Sequence, residues 1–391
     1  MEFQNIRYTD KSYPYMVSFT LDDTHVTYAN TLRRLILTGV ETIAFRSNMT
    51  STGSTTDVYV ERNDTPMTNE MLADRIGLLP LYSHSKLDMD KIVFRLNVTS
   101  DKDKTRYVKA SDFRVFEKKE DGDEVELNSK SFIPQDPITK DTCLIATLPP
   151  TGNSPQQAII IEAKASKGTG REHARFCPVS QCSYEYTLDP DPVRIKELFN
   201  NWLVTAKKIS SIDENSERYK VLQREFNTMQ IKRCYKMNEK GEANSFDFTI
   251  ESSSYDIKYI VNRACEVGEN MCSRYVNLTK NPLPEEITIS SADARLVGYD
   301  FLFRGHDHTL GNLLQTWLIE HHLEGSESPK ITFAGYKVPH PLRDEMVLRI
   351  GVEDGEEKTA RLALSKAAQG CVKLFQDMRN AWNRSYPKDM I

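Results

Sequence analysis

Apolar and polar positions change period twice early in the chain. Met16 to Leu21 alternates, the mark of a half-buried strand. Asp22, Asp23 and Thr24 then offer N-cap side chains, and Val26, Ala29, Leu32, Leu35 and Ile36 recur at helical spacing. Gly39 stops that helix and Val40 to Met49 is β-rich, so the opening unit reads as βαβ-like. From about Ser51 the pattern shifts to short strands with polar loops. These are Ile92 to Val98, Tyr107 to Ala110, Phe113 to Phe116 turning at Asp121-Gly122 into Val125 to Leu127, and Ala158 to Ala163. This mainly β stretch ends near Tyr186. Asp189-Pro190-Asp191-Pro192 then introduces a helix with Ile195, Leu198, Phe199, Trp202 and Leu203 on one face. Met229 to Met237 and Ser245 to Ile250 read as a hairpin across Glu239-Lys240-Gly241-Glu242, followed by a long amphipathic helix from Tyr255 to Leu278.

Asn281-Pro282-Leu283-Pro284 favours extended backbone and predicts a linker over Asn277 to Glu286. Beyond it the order repeats. Leu296 to Phe303 reads as a strand, and Leu310, Leu313, Leu314, Trp317, Leu318 and His321 share a helical face. Ile331 to Tyr336 and Met346 to Val352 are strands, and Glu357 to Trp382 is a long final helix. Thr27, Asn30 and Leu32 return as Thr309, Asn312 and Leu314 at one constant offset. Two copies of one dimerising fold explain both echoes, because each copy has a wide apolar helical stripe that a domain of about 100 residues cannot bury alone.

Composition narrows the function. The chain has 391 residues, a length for two or three domains, with 39% hydrophobic and 27% charged residues, an ordinary globular balance. Lys plus Arg number 51 against 56 Asp plus Glu, a net charge of −5, so no dedicated or sequence-specific nucleic-acid grip is expected. No apolar run approaches the roughly 18 residues of a membrane-spanning helix, and Met1 to Lys11 lacks the greasy core of a leader. Cysteines at 143, 177, 182, 234, 265, 272 and 371, an odd number, suggest reduced thiols inside a cell, and the sequons at Asn48, Asn97 and Asn277 are then chance.

Six segments carry a family resemblance. His306-Asp307-His308-Thr309-Leu310-Gly311-Asn312-Leu313-Leu314, Phe333 to Leu342 and Val347-Leu348-Arg349-Ile350 resemble the eleventh subunit of eukaryotic RNA polymerase II and its archaeal counterpart, over most of residues 285–391. Asn30 to Leu37, Asn69-Glu70 through Ala73 to Leu81, and Gly170-Arg171-Glu172-His173-Ala174-Arg175-Phe176 resemble the third subunit of the same enzyme. The resemblance implies an α+β chain with two modules, like the bacterial alpha subunit, paired internally. Residues 1–50 and 187–280 would form the first, 51–186 a β-rich insert, and 281–391 the second. In the family these are separate chains that heterodimerise; fusion is associated with large DNA viruses of eukaryotes. The implied role is a non-catalytic assembly platform for the largest and second-largest subunits, with small zinc-binding subunits as further partners and no homodimer. The implied site is the host cytoplasm or virion, with the nucleus as the alternative. The third subunit often carries a zinc-binding cysteine cluster after the Gly77-Leu78-Leu79-Pro80-Leu81 segment; Tyr82 to Ser111 has no cysteine, so that site is expected to be absent.

Candidate interface residues follow. Arg33 and Arg34 are either solvated helix charges or, as the resemblance implies, a large-subunit contact that pairs carboxylates bidentately. Gly170, Arg171, Glu172, His173 and Arg175 lie in what reads as a flexible basic loop without the Gly-Lys-Ser/Thr ending of a phosphate-binding loop, and by resemblance it docks the second-largest subunit. Leu32, Leu35, Ile36, Leu310, Leu313, Leu314, Trp317 and Leu318 are the expected internal dimer contacts. His306, Asp307 and His308 could ligate a metal for a hydrolase, but they sit where a strand becomes a helix and Asp307 is a natural N-cap. Cys177 and Cys182 with His173 lack a zinc spacing, Cys265 and Cys272 suit core packing, and His340 suits a rigid turn. With no nucleophile elbow, no His-Glu-x-x-His and no aspartate triplet, neither catalysis nor a cofactor is expected.

Overall fold

The computed structural model describes residues 1–10, 13–51, 55–82, 88–293, 296–388 and 390. One four-stranded antiparallel sheet runs in the order Glu2–Asp10, Tyr13–Asp22, Ser245–Glu251, Gln181–Tyr186. Alternation sets its faces: Val17, Phe19 and Leu21 turn inward beside Phe246, Phe248 and Ile250, and Phe19 pairs with Phe248 in register with their rings stacked 5.1 Å apart. A second four-stranded sheet, in the order Ile287–Ser291, Gly298–Arg304, Glu345–Gly351, Phe333–Lys337, repeats the plan.

Four of the helices contribute buried side chains to the core that these sheets share. Helix α1, Val26–Thr38, starts where His25 Nδ1 accepts from Thr27 N at 3.1 Å. The expected caps Asp22, Asp23 and Thr24 do not serve, because the strand runs to Asp22, Asp23 takes a positive φ of 53° and Thr24 N still bonds Asn244 O across the sheet. A short helix α2, Asn69–Gly77, follows with Thr68 as cap. Helix α3, Pro192–Thr205, has the expected proline at its start, and α4 is Glu217–Met229. Helix α5, Ile257–Ser273, crosses α7, Glu357–Ser385, while α6, His308–Leu318, meets α1 and continues into a π-helical turn, Ile319–Leu323. A Cβ on Gly268 of α5 would lie 2.7 Å from the Phe375 ring of α7, so only glycine allows this approach. Trp382 near the end of α7 is fully buried against Phe3 and Phe19, each 5.1 Å away by ring centroids. One continuous apolar core therefore runs through both sheets and those four helices.

Residues Ile43 to Ala165 form a second core around a five-stranded sheet ordered Val58–Asn63, Ala158–Ala163, Ile92–Thr99, Arg114–Lys118, Glu124–Leu127. A third, small core joins α3 and α4 through Phe199, Leu203, Leu222 and Phe226.

Two expectations are corrected here. The strand Gln181–Tyr186, counted with the insert by sequence, pairs along its whole length with Ser245–Glu251, because Cys182 and Tyr184 pack on the first core. Met229 to Met237 is not a strand: α4 ends at Met229, Ile231–Arg233 is a 3₁₀ turn, and only single bridges join Leu188 to Tyr235 and Met237 to Ala243.

Candidate protein–protein interface

Polar contacts concentrate where α1 crosses α6. Arg34 Nε donates to Thr309 Oγ1 at 2.7 Å, and its Nη2 reaches Asp307 Oδ2 at 3.2 Å. Asp307 caps α6 by accepting from Thr309 N at 2.8 Å. Burial pushes its carboxyl up, but hydrogen bonds from Thr309 and the charges of Arg34 and Arg171 outweigh that and hold it below the usual carboxylate range. On the opposite side of the crossing, Thr27 Oγ1 accepts from Asn312 Nδ2 at 3.2 Å and Thr316 Oγ1 at 3.0 Å. Asn30, the counterpart of Asn312, accepts instead from Arg33 Nε and Nη2 at 3.1 and 3.0 Å. Arg33 and Arg34 are thus engaged within this chain. Leu32, Leu35, Ile36, Leu310, Leu313, Leu314 and Leu318 are buried in the continuous core, whereas Trp317 is half-buried, stacked 4.1 Å from His321 and wedged against Gly370 of α7.

The segment around Gly170 is held on every side. Ser166–Thr169 pairs with the strand Glu41–Ala44, and a Cβ on Gly170 would fall 2.1 Å from Leu37 O at the end of α1. Arg171 N donates to Thr38 O at 3.1 Å and its guanidinium reaches Asp344 beside the second sheet. Glu172 takes Arg46 Nε and Nη2 at 2.7 and 2.9 Å, and that hydrogen bonding holds its carboxyl low. His173 caps the 3₁₀ turn Ala174–Phe176, accepting from Arg175 N at 3.1 Å. The Arg175 side chain is only 4% exposed; its Nη1 donates to Phe45 O at 2.8 Å and to Ser47 Oγ, with Asp74 of α2 at 3.9 Å. The expected flexible loop is therefore corrected to a strut. Its two arginines satisfy backbone and carboxylate oxygens of α1, the insert and the second half.

Around that strut stand apolar side chains that the sequence reading did not single out. Leu78, next to the Gly77 that abuts Arg175, is 61% exposed, Met71 on α2 is 56% exposed and Leu342, two residues before Asp344, is 90% exposed. The signal for Leu342 was an apolar residue in a turn between Pro341 and Arg343, where no core position is due.

His306, Asp307 and His308 diverge. His306 Nε2 meets Tyr275 OH at 2.7 Å and His308 Nδ1 meets Tyr336 OH at 3.2 Å, while Asp307 turns to Arg34. Among the described residues no group of three or more His, Cys, Asp or Glu side chains converges as a metal ligand set, and no helix is long and apolar enough to cross a membrane. Residues 83–87 of the expected zinc-free segment lie outside the described residues. Cys265 is buried and its thiol pushed up to about 12 by that burial, which keeps it unreactive.

The predicted linker is also pinned. Arg361 of α7, its side chain 12% exposed, donates to Leu278 O at 2.6 Å, Lys280 O at 3.2 Å and Asn281 Oδ1 at 2.8 Å, and Leu278 N donates to Ser365 Oγ at 3.0 Å.

Two stretches of the chain, residues 18–272 and 299–381, match the family described as the RNA polymerase Rpb3/Rpb11 dimerisation domain. The DNA-directed RNA polymerase subunit Rpo3 of Methanobrevibacter smithii is 30% identical over 274 residues, covering 65% of this chain and 90% of the relative. Rpo3 of Methanosphaera stadtmanae is 25% identical over 243 residues, covering 61% and 82%. A probable DNA-directed RNA polymerases I and III subunit RPAC2 of Caenorhabditis elegans is 36% identical over 80 residues, covering 20% and 49%. With the longer stretch alone spanning more than half its length, the chain belongs to the RNA polymerase Rpb3/Rpb11 dimerisation-domain family.

Proposed function

We propose that this chain is a non-catalytic assembly-platform subunit of a multisubunit DNA-dependent RNA polymerase, an intramolecular pseudo-heterodimer that docks the two large subunits. Residues 1–50 and 187–280, with the strand Gln181–Tyr186 added, form its third-subunit-like half, residues 281–391 its eleventh-subunit-like half, and the second core its insert. The observation that carries this reading is the pairing of two family-matching stretches through α1 and α6 by mirrored contacts, Arg34 with Thr309 and Thr316 with Thr27. Such isologous exchange is the signature of a two-fold interface, here satisfied inside one chain, so no homodimer is needed. Fusion makes the pairing intramolecular, at an effective concentration in roughly the mM range.

The large subunits dock on the surface where both halves meet the strut. Arg171, His173, Leu78, Met71 and Leu342 lie there, apolar side chains beside charged ones, as at the anchors of protein interfaces. Arg33, Arg34, Gly170, Glu172 and Arg175 serve that surface from behind, by fixing α1 and the strut. Small zinc-binding subunits complete the assembly. The fused arrangement supports a large DNA virus as source, and with it the host cytoplasm or virion as the site, the nucleus being the alternative.

The test is to tag the chain in its native source, purify it at moderate salt and identify its companions by mass spectrometry. Two large polymerase subunits at equal stoichiometry are expected. Recovery of the folded chain alone would overturn the reading.

A further inference from the structure

Of the chain's cysteines, Cys371 is the only one beyond residue 280. A sulfur bond between the two halves must therefore use it. Cys371 lies on α7 and is fully buried, as is Cys272 on α5, the helix that α7 crosses.

The register of the two helices sets these thiols opposite each other. Contacts along the crossing run antiparallel. Asn262 and Asn383 exchange amide bonds at 3.0 and 2.8 Å, Gln376 Nε2 donates to Glu269 Oε1 at 2.6 Å, and Gln369 Nε2 donates to Val276 O at 3.1 Å, just past the end of α5. Within that span Gly268 lets the Phe375 ring lie against the α5 backbone. Cys272 stands one turn after Gly268 and Cys371 one turn before Phe375, so both continue the same facing rows. Their thiols come within hydrogen-bonding reach of each other. Cys265, two turns before Cys272, instead feels the charge of Arg379, two turns beyond Cys371.

The pair rests reduced. Burial, the hydrogen bond with Cys272 and the nearby Glu320 carboxylate push the Cys371 thiol well up, so the reactive thiolate is scarce at neutral pH. That makes a first oxidation slow. It does not prevent a second step, because whichever sulfur is oxidised first already has the other beside it.

We propose that Cys272 and Cys371 form a redox modification site, which a peroxide converts into a disulfide joining the two halves. One sulfur attacks a peroxide oxygen and the O–O bond breaks, leaving a sulfenic acid and a water that carries off the thiol proton. The second sulfur attacks the first, the S–O bond breaks, and a second water carries off the remaining proton. Two thiols lose two electrons and hydrogen peroxide gains them, for one S–S bond and two waters. The bond closes a loop of roughly 100 residues across the junction between the halves. The site belongs to the α5–α7 crossing and stands whichever surface the large subunits use.

The experiment treats the intact folded chain with hydrogen peroxide at about pH 8.5, where thiolate is less scarce. Free thiols are blocked, the chain is digested with trypsin without reductant, and the peptides are identified by mass spectrometry. A cross-link between peptides 264–274 and 367–373 is expected, with fragment ions placing it on Cys272 and Cys371, and dithiothreitol should remove it. Cys272→Ala and Cys371→Ala should each abolish it and Cys265→Ala should keep it, thermal melts before oxidation showing that each variant is folded. The oxidised chain should also unfold at higher urea than the reduced one. Absence of the cross-link in the unaltered chain while the exposed Cys143 is oxidised, or a cross-link through Cys265, would overturn the proposal. So would an unchanged urea midpoint in chains that carry the bond.

Discussion

Arg34 and Thr309 are joined across the α1–α6 crossing at 2.7 Å, and the residues at the corresponding offset, Thr316 and Thr27, are joined at 3.0 Å on its other side. One contact is charge-assisted and partly solvated, the other neutral and buried. A double-mutant cycle of Arg34→Met with Thr309→Val is expected to give a coupling of about 1 kcal/mol in urea unfolding. Additive single effects would mean that the bond does not hold the seam.

The junction between the halves contributes little as a tether, because Arg361 fixes it from the α7 side and Trp382 ties α7 into the first sheet. Replacing Leu283–Glu285 by a protease site and cleaving it is expected to leave the two fragments co-eluting in dilute buffer. Trp382→Ala should cost about 3–5 kcal/mol, since it empties the centre of the shared core. Fragments that separate cleanly would sink the paired reading.

Much of this was legible in the sequence, for physical reasons. The period-two run Met16 to Leu21 and the helical stripe to Ile36 bury one face each, so pattern and structure coincide. The Thr27/Thr309 echo located both crossing helices before any contact was known. Helix α4 was missed because Leu222 and Phe226 are its only fully buried side chains and they pack on a satellite core rather than on a sheet. Arg175 read as a loop charge because no sequence pattern reports that a guanidinium will meet Phe45 O and Ser47, residues brought close only by pairing Ser166–Thr169 with Glu41–Ala44. Arg361 stayed invisible for the same reason: the carbonyls it meets, Leu278 O and Lys280 O, are distant in sequence.

Stability should fall in mild acid. Burial lowers the pKa of His306, helped by Arg171 and Arg274, and burial likewise lowers that of His322, whose Nε2 has no hydrogen-bond partner. A histidine with a depressed folded pKa adds stability that is complete above its unfolded value of about 6.5 and is lost as pH falls through the folded one. Urea midpoints should therefore drop between about pH 7.5 and 5.5, and His306→Gln and His322→Gln should each shrink the drop. A midpoint that rises on acidification would contradict both assignments. Carboxylates held low, such as Glu172 and Asp307, act in a separate window below about pH 4.

Gly170→Ala tests the strut. The added methyl would sit 2.1 Å from Leu37 O, a backbone atom that cannot rotate away, so α1 and the strut must part locally. A loss of about 1–3 kcal/mol is expected. Faster proteolysis near Arg171 should accompany it. An unchanged melt with unchanged proteolysis would show that the segment is not clamped.

Leu342→Asp separates docking from folding. At 90% exposure Leu342 contributes almost nothing to the core, so unfolding should move by less than about 0.5 kcal/mol. It lies two residues before Asp344, whose carboxylate pairs with Arg171 where the two halves meet. If large subunits seat on that surface, an apolar anchor there loses its pocket when a carboxylate replaces it, and recovery of those subunits with the tagged chain should fall several-fold. Arg171→Glu should add to the loss, because it reverses a charge and sets two carboxylates, its own and that of Asp344, side by side. Full recovery with both substitutions present would place the docking surface elsewhere, while leaving the internal pairing of α1 and α6 untouched.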